Sequence, residues 1–380
     1  MVKANLEKEL KSGIASFTAY GKVKIAPETF PLEDSQSQSG WVYRRASFPI
    51  QMGETNSIYV QMMGGHHANN GVIYGVPRKE GKSQDVAWSL RNDPDVLESI
   101  ADYAFLRARI EKDEQGNVIE KKFLSELDLI DYLASHLENE TEVYVSGQVE
   151  YQRYKGKVQR SFNVRTIGLN ENNHEAGATM RQTYLVDDMS LARGWERELA
   201  KDGKTVINAY VPQYVSKENG KSIKQVLAFP QQIVFKSSEE DLEKRSKALK
   251  KFFKPAKNVV REMALVCELY RGYEKVTGQV EFSDRVKDII WGGFESEESI
   301  KNTPMVTGTL VDETVFKTIM LKQLDDGSID VRVADRYAPE ALIIRGDDED
   351  IEKSTDANAV FSTDNTNDPF SDDNLFGNGD

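Results

Sequence analysis

The stretch at 142–169, EVYVSGQVEYQRYKGKVQRSFNVRTIGL, admits few folds. Val143, Val145, Gly147 and Val149 alternate with Tyr144, Ser146, Gln148 and Glu150. A repeat of two sends successive side chains to opposite sides of a pleated strand, so the valines share one face and the polar set the other. Lys155-Gly156 marks a turn, and Phe162 and Val164 lead the return strand. An antiparallel ribbon with one face in a core is expected.

The segments before it complete a pattern. Residues 40–79 read as short strands, WVYRRASFPI, SIYVQMMGG and GVIYGVPRK, broken by Gly and Pro. Phe123, Leu127, Ile130, Leu133 and Leu137, spaced by three and four, predict an amphipathic helix. Leu6 and Leu10, followed by Phe17 and Tyr20, predict a short helix within residues 1–20. Strands, a helix, then a two-stranded ribbon is the element order of an OB-fold, expected over residues 1–172. A second ribbon at 205–235 turns at Asn219-Gly220, and strand-rich segments follow at 261–282 and 303–345. They predict a second β-rich, OB-like domain over 173–346. Within it, a basic helix is expected over 238–254, with Ser237 and Glu240 as a capping box and Pro255 as a stop. The fold class is mainly β with a few helices.

Charge divides the chain differently. Of its 62 acids and 49 bases, residues 347–380 hold 11 acids and one base, leaving 51 against 48 in the rest. The net charge of −13 is therefore mostly a tail property, and the body is near neutral. An acidic, low-core segment of this kind is expected to be a disordered interaction tail. No apolar run reaches the ~20 residues of a membrane-spanning helix, and the first residues are too charged for a signal peptide. Cys267 is the only cysteine, which excludes disulfides within the chain and cysteine zinc sites. A cytoplasmic protein is expected.

Enzyme chemistry finds little support. Of the four histidines, His136 falls in the amphipathic helix, His174 in a polar turn, and His66-His67 on what reads as a solvated loop. Neither a phosphate-binding glycine loop nor a GxSxG elbow is present. No catalytic residue, metal site or cofactor is expected.

Binding chemistry is better represented. The first ribbon interleaves Tyr151, Tyr154 and Phe162 with Arg153, Lys155, Lys157 and Arg160. Cations can follow phosphates while flat rings stack unpaired bases, each stack contributing roughly 1–3 kcal/mol. The competing explanation is that strands favour Tyr and turns favour charge. The second ribbon repeats the composition, Tyr210 and Tyr214 preceding Lys217, with Lys221 and Lys224 after the turn. Arg44 and Arg45, beside Trp41 and Tyr43, extend the candidate surface. Between Lys244 and Arg261 stand eight bases and no acids, which suits a phosphate-facing helix as well as a helix dipole.

At these residues the chain resembles the OB-fold single-stranded DNA-binding proteins of replication. VYVSGQVEYQRYKGKVQRSFNVRTIGL is similar to their strand-four, loop, strand-five region, with Tyr154 at the stacking position. The final DPFSDDNLFGNGD resembles their acidic tail, which docks on basic, apolar pockets of partner enzymes. The resemblance covers about thirty residues of ribbon and some thirty-five of tail. It implies single-stranded DNA as ligand, and replication or recombination proteins recruited by Asp368, Pro369, Phe370, Asp372, Asp373, Leu375 and Phe376. The chain is over twice the usual bacterial length, which implies a bacteriophage or other mobile replicon. In this family Pro-Phe closes the tail, whereas here Phe370 is internal. The rival classes are a phage structural protein and a replisome accessory protein that touches DNA only through a partner.

Overall fold

The computed structural model describes residues 6–154, 156–218, 221–273, 282–301 and 310–342. Strands β1 (Ala15–Val23), β2 (Trp41–Gln51), β3 (Ser57–His67), β4 (Glu142–Tyr154) and β5 (Lys157–Leu169) close a first barrel. β1 pairs antiparallel with β2 at Lys22↔Gln51 and with β4 from Ser16↔Gln148 to Lys22↔Glu142. β2 and β3 form an antiparallel hairpin, as do β4 and β5, and β3 meets β5 in parallel at Gln61↔Asn163. Helix α1 (Glu126–His136) joins the third and fourth strands. This circuit is that of an OB barrel.

The circuit recurs. β6 (Gly177–Val186), β7 (Lys204–Glu218), β8 (Lys221–Lys236), β9 (Val260–Tyr273) and β10 (Leu310–Ile319) pair in the same order. The parallel closure is at Val234↔Val315. Helix α2 (Trp195–Asp202) lies between β6 and β7, and α3 (Leu242–Phe253) between β8 and β9. The barrels join through their first strands: β1 runs antiparallel to β6 from Ala15↔Gln182 to Tyr20↔Gly177. One apolar core continues from Phe17, Phe48 and Val145 into Met180, Phe229 and Leu265.

Each element has a local cause. In α1, Ser125 accepts a hydrogen bond from the Leu127 N–H (3.1 Å), and Leu127, Ile130 and Leu133 face the core. Among the described residues 6–20 the expected helix is not formed. Phe17, Ala19 and Val23 are buried at strand period, and Gly13 and Gly21 disfavour a helix there. Leu10 packs beside Tyr337 and Leu185 instead of on a helix face. Helix α3 begins at Leu242, later than expected, and the capping box is absent because the Ser237 hydroxyl donates to the Ser238 carbonyl (3.0 Å). Pro255 does follow its end, as expected.

Residues 68–125 elaborate the first barrel. Leu106–Lys112 pairs in parallel with β5, and Val118–Phe123 pairs with Leu106–Lys112. Val76, Val86, Ile100 and Phe105 form a separate small core there.

Gly147 pairs with Val164 of β5, beside the bulge between Val164 and Thr166. A Cβ at this position would lie 1.9 Å from the Asn163 carbonyl oxygen, which is backbone and cannot rotate away. Gly147→Val is expected to destabilise the protein by about 1–3 kcal/mol through forced ladder separation. Urea unfolding with an unchanged midpoint would show that the ribbon absorbs the methyl groups.

Candidate nucleic-acid interface

The period of two sorts the first ribbon into an inner and an outer set. Val143, Val145 and Val149 point inward, and the phase continues to Tyr151, which is 3 % exposed. On β5 the inner phase holds Phe162, 7 % exposed, whose edge meets Phe17 at 5.1 Å. Arg160 pairs with Tyr151 across the ribbon, and its guanidinium donates to Asp312 (3.1 Å) and Thr314 (2.7 Å) of β10. Burial is the strongest influence on Arg160 and works against its charge, but Asp312, Tyr151 and Tyr184 together raise its pKa above the usual arginine value. Burial also pushes Tyr151 and Cys267 up to about 12, and Tyr184 upward as well. The Tyr151 hydroxyl points at the Met180 sulfur (3.8 Å).

The ribbon root therefore welds the two barrels. Arg153, also in the inner phase, lies over Phe229 of β8 at 5.6 Å. Arg271 of β9 lies over Tyr59 of β3 at the same 5.6 Å, so each barrel's fourth strand places an arginine on an aromatic of the other's third. This corrects the expectation for four residues. Tyr151 and Phe162 have no free ring face for a base, and Arg153 and Arg160 are engaged across the junction.

The outer phase leaves Tyr154, 49 % exposed, opposite the exposed Lys157. Lys155 lies outside the described residues. On the second ribbon Tyr210 is buried, while Tyr214 is 50 % exposed, and Lys217 and Lys224 are exposed. Lys224 adopts φ of 50°, the left-handed region. Lys221 opens β8, and its side chain is outside the described set, as is the Asn219-Gly220 turn.

Strand phase also separates Arg44 from Arg45. Ala46, Phe48 and Ile50 point inward, so Arg44 shares their side of β2 and reaches Asp34 (2.6 Å) and Asp131 of α1. Its expected place on the binding surface is corrected: the guanidinium anchors the loop before β2 to the helix. Arg45 faces outward and donates to Gln61 (2.8 Å), which donates to Asn163 (2.9 Å). These three line a groove of about 440 Å³ over the outer faces of β2 to β5. Arg165 and Glu150 also line it, and burial raises the pKa of Glu126, another lining residue. The groove is amide-rich and close to neutral, suited to hydrogen bonding more than to a strong field.

A second cavity of about 340 Å³ lies between the barrels and shares Gln61, Gln159, Arg160 and Ser161 with the groove. Tyr59 and Tyr270 line it, and neither is among the aromatics singled out from sequence. The signal was present in β3, where Tyr59, Gln61 and Met63 alternate with the buried Ile58, Val60 and Met62.

On α3, Leu249 and Phe253 are buried while Lys244, Lys247 and Lys250 are exposed. Lys247 pairs with Glu243 (2.5 Å), and Arg261 is held by Asp335 (2.6 Å). His66 and His67 end β3 instead of lying on a loop, stacked near Trp88 (4.4 Å) and edge-on to Trp41 (5.6 Å). Among the described residues, no three His, Cys, Asp or Glu side chains gather to hold a metal, and no helix is long and apolar enough to cross a membrane. The tail residues Asp368, Pro369, Phe370, Asp372, Asp373, Leu375 and Phe376 lie outside the described residues.

No protein-family model matches this chain, and no curated protein matches it. Among solved structures it is similar to a deletion variant of the single-stranded DNA binding protein from Thermus aquaticus, at 11 % identity. The overlay covers 69 % of this chain and 89 % of that one, with a TM-score of 0.29. The barrel assignment here rests on strand pairing, not on that overlay.

Proposed function

We propose that the chain binds single-stranded DNA without strong sequence preference, serving replication or recombination. The observation that supports this is the placement of Tyr154 and Tyr214. Each is a half-exposed ring on a ribbon of an OB barrel, with exposed Lys157 or Lys217 on the same ribbon. Stacking tolerates any base, and lysines follow the backbone, so sequence reading is not required. Arg45, Gln61 and Asn163, linked to one another by hydrogen bonds, line the groove and offer their remaining polar atoms to a strand.

A mobility-shift series with single-stranded DNA, duplex DNA and RNA is the direct test. Binding of single strands should exceed duplex binding, and log affinity should fall linearly with log salt. Lys157→Ala with Lys217→Ala should flatten that slope by roughly 1.4, at ~0.7 for each phosphate no longer neutralised. Affinity should be indifferent to chelators. Equal binding of duplex would point instead to a general polyanion surface, and no shift with any probe to an accessory or structural protein.

The acidic tail has a separate proposed role, recruiting replication or recombination enzymes through Phe370 and Phe376. Removing residues 347–380 takes away 11 acids and one base. It should tighten DNA binding most at low salt, where the carboxylates compete best with phosphate. Replacing both phenylalanines by Ala should abolish partner capture and leave DNA affinity at the parental value. A tail that can be removed without either effect is only a solubilising segment.

A further inference from the structure

Near the start of β4, three rings meet at one small cavity. Tyr20 of β1 lies 4.6 Å from His174 and 6.4 Å from Tyr144 of β4, ring centre to ring centre. Together with Arg109 they line a space of about 240 Å³, and this space shares no lining residue with the groove or the inter-barrel cavity. The sequence draws no attention to it, because its members are spread from residue 20 to residue 174.

Gly168 packs against two of the lining residues: a Cβ there would lie 2.6 Å from Tyr144 Cε1 and 3.1 Å from Arg109 Cβ. One wall is the linker between the barrels, where Asn170 donates to the His174 carbonyl (2.9 Å) and accepts from the His174 N–H (3.0 Å). That clasp turns the imidazole back onto Tyr20. The Arg109 side chain is 42 % exposed; its Nε is buried and makes no hydrogen bond, and it forms a long ion pair with Glu120 (3.9 Å). Glu171, the carboxylate in the lining, is itself paired with Lys112 at 3.6 Å.

Two half-buried tyrosine rings and an exposed imidazole around a space too small for a drug-sized molecule suit one planar heteroaromatic group. A buried guanidinium nitrogen lacking a hydrogen bond suits an anionic oxygen beside it. We infer that this pocket holds a single nucleotide, its base against Tyr20 and Tyr144 and its phosphate at Arg109. The nucleotide is either free or part of a strand; the oligonucleotide arm of the test rests on the proposed function, and the free-nucleotide arm does not.

The probes are dTMP, thymidine, a short oligothymidylate that cannot reach beyond the groove, and a long one. They are titrated into the full chain and into Tyr144→Ala, Arg109→Gln and Gly168→Val, with Tyr144→Phe as the conservative control. Loss of a single stacked base should weaken binding roughly 5- to 150-fold. If the source is free nucleotide, Tyr144→Ala and Gly168→Val weaken dTMP, Tyr144→Phe restores it, and Arg109→Gln weakens dTMP but not thymidine. If the source is a strand, the same variants weaken the long oligonucleotide and leave the short one at the parental affinity. Should the parent bind oligonucleotides while no variant differs from it with any probe, the pocket assignment fails and the proposed function survives. Should the parent bind dTMP in a Tyr144-dependent way but no oligonucleotide, the reverse holds. Binding of no probe overturns both.

Discussion

Asp312→Ala should lower stability by about 3 kcal/mol, the lower end for stranding one partner of a buried ion pair. Arg160 and Asp312 are each 16 % exposed, and they belong to different barrels. Without Asp312 the guanidinium keeps the Thr314 hydroxyl but loses its counter-charge, and arginine cannot escape by giving up a proton. For a chain of 380 residues the thermal midpoint should fall by roughly 4 °C. Arg160→Met combined with Asp312→Leu should recover part of the loss, since the apolar pair strands no charge at Arg160 and only Arg271, 4.0 Å from Asp312, still loses a carboxylate. Calorimetry on the single variant and the double variant decides it. A single variant that melts with the parent would mean that the barrels are held by the strand pairing alone.

The second large effect is on binding. Tyr154→Ala and Tyr214→Ala should each weaken single-stranded DNA by about 1–3 kcal/mol. They lie on separate ribbons, so their effects should add to a loss of roughly 30-fold or more. Both rings are half exposed, so circular dichroism and melting should stay at parental values. Tyr151→Ala should do the opposite, weakening the fold by emptying a core site. If the Tyr154 and Tyr214 variants bind like the parent, the ribbons carry tyrosine for strand geometry and the nucleic-acid surface lies elsewhere.

Tyr151 and Tyr154 show what could be seen in the residues and what was passed over. Composition counts them alike, as rings in a basic segment. The alternation that placed Val143, Val145 and Val149 inside also places Tyr151 and Arg153 inside and Tyr154 outside. Carrying the phase through to the tip would have sorted most of the ribbon, and the same holds for Arg44 against Arg45. The strand, helix, ribbon order was legible because it is set by neighbours in the chain. The partner of Arg160 was not, because Asp312 is 152 residues away and nothing near either residue marks the other. The parallel closures at Gln61↔Asn163 and Val234↔Val315 are equally silent in sequence. At the N-terminus, four-residue spacing of Leu6 and Leu10 outweighed two glycines that spoke against a helix.

The pairing of β1 with β6 sets the first strands of two like barrels side by side within one polypeptide. Had the barrels been separate chains, their union would depend on concentration, and dilution would part them. Here the partner is always present, at an effective concentration that no dilution lowers. A ligand that spans both barrels then meets a preassembled surface, and its stoichiometry should not drift as protein concentration is reduced. The covalent link also frees the two copies to diverge, since a residue changed in one barrel need not work in the other. The unequal ribbons, one ending near Tyr154 and the other carried past Tyr214 to Glu218, are what such freedom permits.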